Sequence, residues 1–372
     1  MYGGSSKQTS TAPKPARIDE PPRLNTISAV NDASAVNEPR TRPARLHSAV
    51  ITGTGFDVPK RILTNADLEK MVDTSDQWIV ERTGMKERHI AAPEEAASDF
   101  ALKAARLALA DSGTTADELD LIIVATVTGD MPFPSTACIL QDRLGAKHAA
   151  AMDVSAGCTG FIYGLATARQ FIATGEYRTM LVVGVEVLSK ITDWTDRGTC
   201  VLLADGAGAA VVKASDDPDR GIIASYLSSD GSRGPDLFMP GGGSRVPVSV
   251  ESIRRGDHYL KMKGNAIFKV AVRSMADSVS RVLRLAGLKA DDVKLLIPHQ
   301  ANLRIIEATA RLLGFPMDRV FVNIQKYANT SSATTIIALD EARKAGLIQP
   351  GDVVVLVAFG AGLTWGAIAI RW

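Results

Sequence analysis

Short apolar runs alternate with longer amphipathic stretches along most of the chain, from Leu46 to the C terminus. Such alternation is typical of α/β proteins, in which strands and helices follow one another. In the first half the runs do not alternate polar and apolar residues, which predicts strands buried on both faces. The strands predicted there are residues 49–52, 121–126, 150–154, 180–187 and 209–213.

The second half repeats this alternation, and helix boundaries can be predicted in both halves. Helices are predicted at 98–112, with Ser98 as N-cap, and at 266–286, 303–313 and 332–344, the last two capped by Asn302 and Ser331. The strands predicted in the second half are residues 221–225, 293–297, 320–324, 353–358 and 367–370. We therefore expect two similar α/β halves, 46–215 and 216–372, that meet near residues 214–221.

Residues 1–45 differ in composition from the remainder. They hold six of the 17 prolines, many Ser and Thr, and a single aromatic residue, Tyr2. A segment of this kind buries too little apolar surface to offset its ordering entropy, which predicts disorder. Its four acidic residues argue against an organelle transit peptide. We expect a cytoplasmic protein, with an organelle stroma as the alternative if the segment is a transit peptide.

Composition and charge exclude several classes of protein. The net charge of +1 provides no bulk electrostatic footprint for nucleic acid. The longest apolar runs, such as 353–359, are far shorter than the roughly 20 residues that span a bilayer. Three cysteines without a CxxC pair predict neither a disulfide framework nor a zinc site. No nucleic-acid partner, membrane insertion or metal is therefore expected.

Cys158 is the strongest candidate for covalent chemistry. A buried strand leads into it, Gly157 and Gly160 permit a sharp turn, and an apolar helix follows. A thiol at a helix N-terminus faces the positive end of the helix dipole, which favours the reactive thiolate. A small buried cysteine that packs as an apolar residue is the alternative. Cys138 and Cys200 lack this setting and are expected to be structural.

Three remote segments carry further candidate residues. His299 ends an apolar strand ahead of a capped helix, a place where α/β folds bind ligands. Asn329 precedes another helix, and the Gly360–Gly366 segment forms a turn whose N–H groups can face an oxyanion. Considered individually, each segment has an ordinary structural explanation: a solvated loop histidine, a turn or cap asparagine, and a tight hairpin.

In this order the segments resemble the ketoacyl-acyl-carrier-protein synthase III family of the thiolase superfamily. The similarity covers nearly all of 46–372, whereas the N-terminal segment has no counterpart in the family's core. The motifs that carry it are Ser75-Asp-Gln-Trp-Ile-Val-Glu-Arg-Thr-Gly84, Glu87-Arg-His89, Gly157-Cys-Thr-Gly-Phe161, Asp205-Gly-Ala-Gly208, Pro298-His-Gln-Ala-Asn-Leu-Arg304, Asn329-Thr-Ser-Ser331 and Gly360-Ala-Gly-Leu-Thr-Trp365. The resemblance implies a thiolase-like fold of two α/β halves in αβαβα layers.

The resemblance also implies a catalytic triad and a reaction. The family's Cys–His–Asn triad falls on Cys158, His299 and Asn329, and its oxyanion hole on the N–H groups of Cys158 and Gly362. An acyl-CoA starter, acetyl-CoA in the simplest case, would acylate Cys158. Malonyl-acyl-carrier protein would then lose carbon dioxide and condense with the acyl group, which begins fatty acid biosynthesis. No cofactor is required, because the CoA thioester is itself a substrate.

Binding roles follow from the same resemblance. Trp78 is expected to stack on the CoA adenine, with Arg82 and Arg197 reaching the nucleotide and its phosphates. Phe133 matches a residue that enters the partner subunit's acyl pocket, which implies a homodimer. Core packing for the tryptophan and solvated surface for the arginines are the alternatives.

Recognition of the acidic carrier protein is expected to rest on Arg304. Lys261, Lys263 and Lys269 could extend that basic patch, together with Arg273 one turn beyond Lys269. Groups of basic residues of this kind more often form a solvent-exposed surface than a binding site.

Two alternative functions share some of these sequence features. A condensing enzyme or acyltransferase of secondary metabolism could keep the triad and take another starter or acceptor. A dinucleotide-binding fold is disfavoured because Gly53-Thr-Gly55 lacks the third glycine and the helix of that motif.

Overall fold

The computed structural model describes residues 47–372, so the disorder predicted for residues 1–45 lies outside the described part. Most of its helices and strands are short, and they alternate along the chain. In chain order they are β1 (Ser48–Asp57), β2 (Arg61–Thr64), α1 (Asn65–Leu68), α2 (Asp76–Thr83), β3 (Glu87–Ile90), α3 (Ala97–Ser112), β4 (Leu121–Ala125), α4 (Thr136–Leu144), β5 (Ala150–Val154), α5 (Gly160–Ala173), β6 (Thr179–Val187), α6 (Arg197–Cys200), β7 (Asp205–Ser215), β8 (Gly221–Ser229), β9 (Leu237–Phe238), α7 (Val250–Arg254), β10 (Lys261–Met262), α8 (Gly264–Ala286), β11 (Val293–Pro298), α9 (Leu303–Leu313), α10 (Ile324–Tyr327), α11 (Thr334–Lys344), β12 (Val353–Gly360) and β13 (Thr364–Arg371).

Two mixed sheets form the frame of the fold. The first has the strand order β1-β7-β6-β4-β5, with β4 parallel to both β5 and β6. The second has the order β11-β12-β13-β8, with β11 parallel to β12 and the other pairs antiparallel. All strands of the first sheet end at or before Ser215, and all strands of the second sheet start at or after Gly221.

Helices α5 and α11 form a buried layer between the two sheets. Phe161, Ile162 and Leu165 of α5 share one apolar cluster with Ile336 and Leu339 of α11 and with strands of both sheets. A helix that is apolar on every side must be buried on every side, which is why the sequence of α5 predicted this position. Separate clusters place α3 and α4 on the outer face of the first sheet, and α8 and α9 on the outer face of the second. The result is the αβαβα layering of the thiolase-like fold, as predicted.

Two strand predictions were wrong in instructive ways. Strand β5 was expected to be buried on both faces, but Ala150 and Asp153 are exposed because β5 pairs only with β4 among the described strands. Residues 320–324 form no strand beyond one bridge from Val320 to Leu296. There the side-chain amide of Gln300 donates to the Phe321 carbonyl, and its oxygen accepts the Asn323 N–H. These side-chain hydrogen bonds take the place of pairing with a neighbouring strand.

Two helix caps also differ from prediction. Helix α3 begins after Ala96, and the hydroxyl of Ser98 donates to Asp130 instead of capping the helix. Ser331 opens a short 3₁₀ turn ahead of α11, which begins at Thr334. Asn302 caps α9 as expected, since its side chain accepts the Arg304 N–H.

Candidate active site

Cys158, His299 and Asn329 line one cavity of about 600 Å³. They reach it from the β5–α5 turn, the end of β11 and the segment before α11, so residues up to 171 positions apart meet in one space. Three residues singled out separately from the sequence therefore lie around one space.

The turn that carries Cys158 is in close contact with the turn between β12 and β13. Gly157 has a φ of +54°, a left-handed conformation that favours glycine. A side chain at Gly360 would place its Cβ 2.5 Å from the Cys158 nitrogen, so only glycine fits there. The two glycines therefore allow the second sheet to approach the nucleophile's backbone.

The surroundings of the Cys158 thiol disfavour its ionised form. Burial raises its pKa to about 11, the Ser331 hydroxyl and the N–H groups of Cys158 and Ala361 lower it, and the Glu186 carboxylate raises it. The expected stabilisation of the thiolate by the start of the helix is thus outweighed by loss of solvent. The sulfur needs a proton acceptor when substrate arrives.

His299 is held at the end of β11 as a neutral imidazole. Its backbone N–H donates to the Val357 carbonyl at 2.7 Å, and its Nδ1 lies 2.6 Å from the Thr334 hydroxyl. Burial lowers the pKa of the ring to about 3. With Nδ1 engaged by Thr334, Nε2 is the ring nitrogen left for the cavity.

Asn329 combines a structural and a site-facing role. Its backbone N–H donates to the Leu202 carbonyl, and its carbonyl accepts from Ala204, which fixes the segment against the first half. Its side-chain oxygen accepts the Ser331 N–H at 2.9 Å. The turn expected from sequence is therefore present, and the amide NH₂ group remains to face the cavity.

The backbone donor at the sulfur differs by one residue from the expected one. The N–H group that hydrogen-bonds to Cys158 from the β12–β13 turn belongs to Ala361, not to Gly362. Gly362 has a φ of +134° and provides the bend of that turn. Sequence alone does not show which of several consecutive N–H groups points inward.

Trp78 on α2 stands between two arginines near the cavity. The guanidinium carbons of Arg82 and Arg197 lie 5.0 and 5.1 Å from its ring centroid. Trp78 and Arg82 line the cavity, as does Gly198, next to Arg197. Both arginines are exposed, and Trp78 is partly buried, packing against the apolar cluster that holds Ile79 while it also borders the cavity.

A buried arginine, the central residue of the Glu87-Arg-His89 motif, supports this region. The Arg88 guanidinium donates to the Val201 carbonyl and to Asn65, and its side chain is fully enclosed. It ties the segment after α6 to the small β2–β3 hairpin. The motif marks this arginine in the sequence, but its buried structural role follows only from the contacts.

The basic residues predicted for carrier binding separate into two groups. Arg304 and Lys269 are exposed and line the cavity. Nζ of Lys263 instead lies 3.2 Å from Oδ1 of Asp236, and Nζ of Lys261 lies 4.0 Å from Oδ2 of Asp193. Neither lysine lines the cavity.

Phe133 lies on the surface, 84% exposed, outside the residues that line the cavity. Within this chain it therefore contributes nothing to the pocket of its own active site. Between residues 47 and 372 no cluster of three or more His, Cys, Asp or Glu residues could hold a metal ion. None of the helices in that range is long and apolar enough to cross a membrane.

A cysteine that starts a helix enclosed between two sheets, and that shares a cavity with a histidine and an asparagine, defines a thiolase-like condensing enzyme. Models of the 3-oxoacyl-[acyl-carrier-protein] synthase III family match residues 152–231 and, with its C-terminal part, 283–372. The β-ketoacyl-[acyl-carrier-protein] synthase III of Caldanaerobacter subterraneus subsp. tengcongensis is 55% identical over 325 residues, which is 87% of this chain and 98% of the relative. The chain therefore belongs to the β-ketoacyl-[acyl-carrier-protein] synthase III family of acyltransferases.

Solved structures agree with this assignment. The crystal structure of 3-oxoacyl-[acyl-carrier-protein] synthase III from Aquifex aeolicus superposes with a TM-score of 0.81 at 49% identity, covering 87% of this chain and all of the other. A priming β-ketosynthase from a polyketide biosynthetic pathway superposes with a TM-score of 0.82 at 33% identity, covering 89% and 98%. The same fold therefore serves more than one pathway, and the residues of the site must carry the functional argument.

Proposed function

We propose that this protein condenses an acyl-CoA starter with malonyl-acyl-carrier protein, with loss of carbon dioxide, and so begins fatty acid synthesis. The starter proposed is acetyl-CoA. The observation that carries the proposal is the single cavity that joins Cys158, His299 and Asn329 and is bordered by Trp78 and Arg82. No metal or other cofactor takes part, and the location proposed is the cytoplasm.

In the first half-reaction Cys158 attacks the thioester carbonyl. The sulfur forms a bond to the acyl carbon, the C–S bond to CoA breaks, and an acyl-enzyme remains. The oxyanion of the tetrahedral intermediate is bound by the N–H groups of Cys158 and Ala361, which contact the sulfur in the ligand-free site. Ala361 replaces Gly362 in this role.

In the second half-reaction the malonyl group loses carbon dioxide and leaves an enolate. Nε2 of His299 and the amide NH₂ of Asn329 donate hydrogen bonds to the enolate oxygen. The low pKa of the buried imidazole, about 3, supports a neutral donor that does not protonate the carbanion. The carbanion then attacks the acyl group on Cys158 and releases a β-ketoacyl product.

The entrance of the cavity supplies binding energy for both substrates. We assign the adenine of CoA to the face of Trp78, and the phosphates to Arg82 and Arg197, which already lie beside that ring. Arg304 and Lys269 border the same entrance and suit an acidic carrier protein. Lys261 and Lys263 contribute less, because acidic neighbours offset their charges.

A homodimer is part of the proposal. Phe133 is a large apolar side chain left in solvent, and such a residue is better accommodated in the acyl pocket of a second copy. Strand β5 has a partner on one side only among the described strands, so its free edge lies open to another chain.

A panel of acyl-CoA thioesters tests this proposal. Acetyl, branched and longer acyl-CoAs are each mixed with malonyl-acyl-carrier protein, and β-ketoacyl product is measured by mass spectrometry. Acetyl-CoA should give the highest kcat/KM, and Cys158→Ala should give no product with any starter. A preference for an unusual starter with an acceptor other than the carrier protein would favour a role in secondary metabolism.

A further inference from the structure

Glu186, at the end of β6, is a buried carboxylate beside the nucleophile. Its side chain has no solvent exposure. It accepts hydrogen bonds from the Val127 N–H at 3.1 Å and from the hydroxyls of Thr126 and Thr128. An acidic side chain is rarely enclosed in this way unless its charge has a use or a partner.

Ser331 links this carboxylate to the nucleophile. Its hydroxyl donates to Oε1 of Glu186 at 3.3 Å, and the same hydroxyl lies close enough to Cys158 to lower the pKa of the thiol. Ser331 is 3% exposed and has a φ of +49°, an uncommon conformation for a residue other than glycine. The local backbone thus holds the hydroxyl between a thiol and a carboxylate, where water has little access.

The His299 ring is poorly placed to accept the thiol proton. His299 has one ring nitrogen engaged by Thr334 at 2.6 Å, and burial disfavours its charged form. Its remaining nitrogen is the one assigned above to the enolate. Because burial raises the pKa of the Cys158 thiol, its proton needs another acceptor.

We propose that Glu186 takes the proton of Cys158 through the Ser331 hydroxyl during acyl transfer and returns it when the product leaves. This inference rests on the proposed function, because it concerns how the same nucleophile is activated. Glu186 acts through Ser331 and does not touch the substrate, so it is a positioning residue for the proton.

The step balances as follows. The S–H bond of Cys158 breaks, its proton moves to the Ser331 oxygen, and the original hydroxyl proton moves to Glu186. The sulfur bonds to the acyl carbon, and the CoA thiolate leaves and takes one proton from solvent. In the second half-reaction the tetrahedral adduct expels the Cys158 thiolate, and the proton stored on Glu186 returns through Ser331.

Charge conservation favours this route. Glu186 already places one negative charge in the enclosed site, and the relay moves that charge to the sulfur without adding a second. A thiolate formed by loss of its proton to bulk water would instead face the ionised carboxylate, which raises the pKa of the thiol. Burial raises the pKa of Glu186 to about 7, so the carboxyl can both accept and return a proton near neutral pH.

The charged groups around Glu186 are few. On β7, Gly206 pairs with Glu186, and Asp205 pairs with Val187, so the Asp205 side chain lies on the opposite face of the sheet. The 126–128 loop and the turn at 331–333 contribute hydroxyl and N–H groups. Cys158 is therefore the titratable group that faces this carboxyl from the cavity.

Asp205 provides a matched control. It is also fully enclosed, and it accepts hydrogen bonds from the Ala91 and Ser189 N–H groups and from the Ser189 hydroxyl. Asp205→Asn thus removes a buried, multiply bonded carboxylate from the neighbouring strand without touching the relay.

The test measures the rate at which acetyl-CoA acetylates Cys158, by rapid quench and mass spectrometry between pH 5.5 and 9. We expect the wild-type rate to rise with pH through about 7 and then level off, as Glu186 ionises. Glu186→Gln should be slower by about 10²- to 10³-fold at pH 7. Its rate should climb without levelling across this range, because only the thiol then titrates. Asp205→Asn should keep the wild-type profile.

Ser331→Ala, which keeps Glu186, decides the matter if Glu186→Gln does not fold. It should show the same slow, steadily rising profile. A wild-type rate and a levelling profile in Ser331→Ala, or in a folded Glu186→Gln, would overturn the relay and leave the carboxylate as a support for the 126–128 loop. If the wild type itself gains no acetyl group, the proposed function fails and not the relay alone.

Discussion

At the scale of single residues, the chemistry of the site depends on side chains that the substrate does not touch. Cys158 and His299 were identifiable from their sequence context, since each follows a buried strand and precedes a helix. Glu186, Ser331 and Thr334 were not identified, because an acid or hydroxyl at a strand or helix end has many ordinary explanations. Their importance comes from contacts between segments as much as 145 residues apart.

Thr334→Val should impair decarboxylation while leaving acetylation of Cys158 nearly unchanged. The Thr334 hydroxyl lies 2.6 Å from Nδ1 of His299 and donates to the Ser331 carbonyl at 3.0 Å. When its hydrogen turns from that carbonyl to Nδ1, the ring carries its proton on Nε2. Without it, the tautomer that donates to the enolate is no longer favoured, and we expect a loss of about 10²-fold in kcat.

The measurement is carbon dioxide release from malonyl-carrier protein, alongside acetylation monitored by mass spectrometry. Thr335→Val is the control, since the Thr335 hydroxyl is equally buried and has no hydrogen-bond partner within residues 47–372. Equal losses in the two variants would show that volume or packing, not the tautomer, explains the effect.

At the scale of helices and strands, most of the fold could be predicted, and the errors occurred where contacts from remote segments decide local structure. Helix α9 was predicted at its observed bounds, and α5 was correctly placed inside the molecule. Residues 320–324 were misassigned because Gln300, remote in sequence, satisfies their backbone groups. The exposure of β5 depends on its place in the strand order, which local apolar pattern does not specify.

Gly360→Ala should distort the nucleophile turn and lower both stability and activity. The new methyl carbon would lie 2.5 Å from the Cys158 nitrogen, so one of the two turns must move. We expect a destabilisation of about 1–3 kcal/mol, measured by urea denaturation, and loss of acetylation. Gly231→Ala, where a Cβ meets nothing within 4 Å, should leave both unchanged. Wild-type acetylation in Gly360→Ala would contradict this close approach.

At the scale of the whole molecule, the layered architecture brings one buried layer of helices and two sheets together at the cavity that holds Cys158, His299 and Asn329. The alternation of strands and helices predicted an α/β fold. The αβαβα layering was implied by the resemblance of the motifs to the family. Sequence could not indicate the cavity's walls, because they come from segments at both ends of the described chain. The division into halves at about residue 215 agrees with the chain limits of the two sheets and remains a prediction about how the chain folds.

Phe133→Ala should change the choice of starter with little effect on the fold of the subunit. The side chain is 84% exposed in the single chain, so its removal opens no cavity there. In a homodimer it would enlarge the partner's acyl pocket, and kcat/KM should shift towards longer acyl-CoAs. Leu312→Ala, a control at a surface position 60% exposed, should not shift it. Sedimentation equilibrium gives the assembly state, and a monomer with an unchanged starter profile would refute the shared pocket.

The most direct test of the account is acetylation of each site variant by acetyl-CoA, read by mass spectrometry and paired with carbon dioxide release from malonyl-carrier protein. Wild type, His299→Ala and Asn329→Ala should each gain one acetyl group, located on Cys158, and Cys158→Ala should gain none. Decarboxylation should fall by about 10²- to 10³-fold in the histidine and asparagine variants. An unmodified Cys158 in the wild type, or equal loss of both half-reactions in Asn329→Ala, would contradict it.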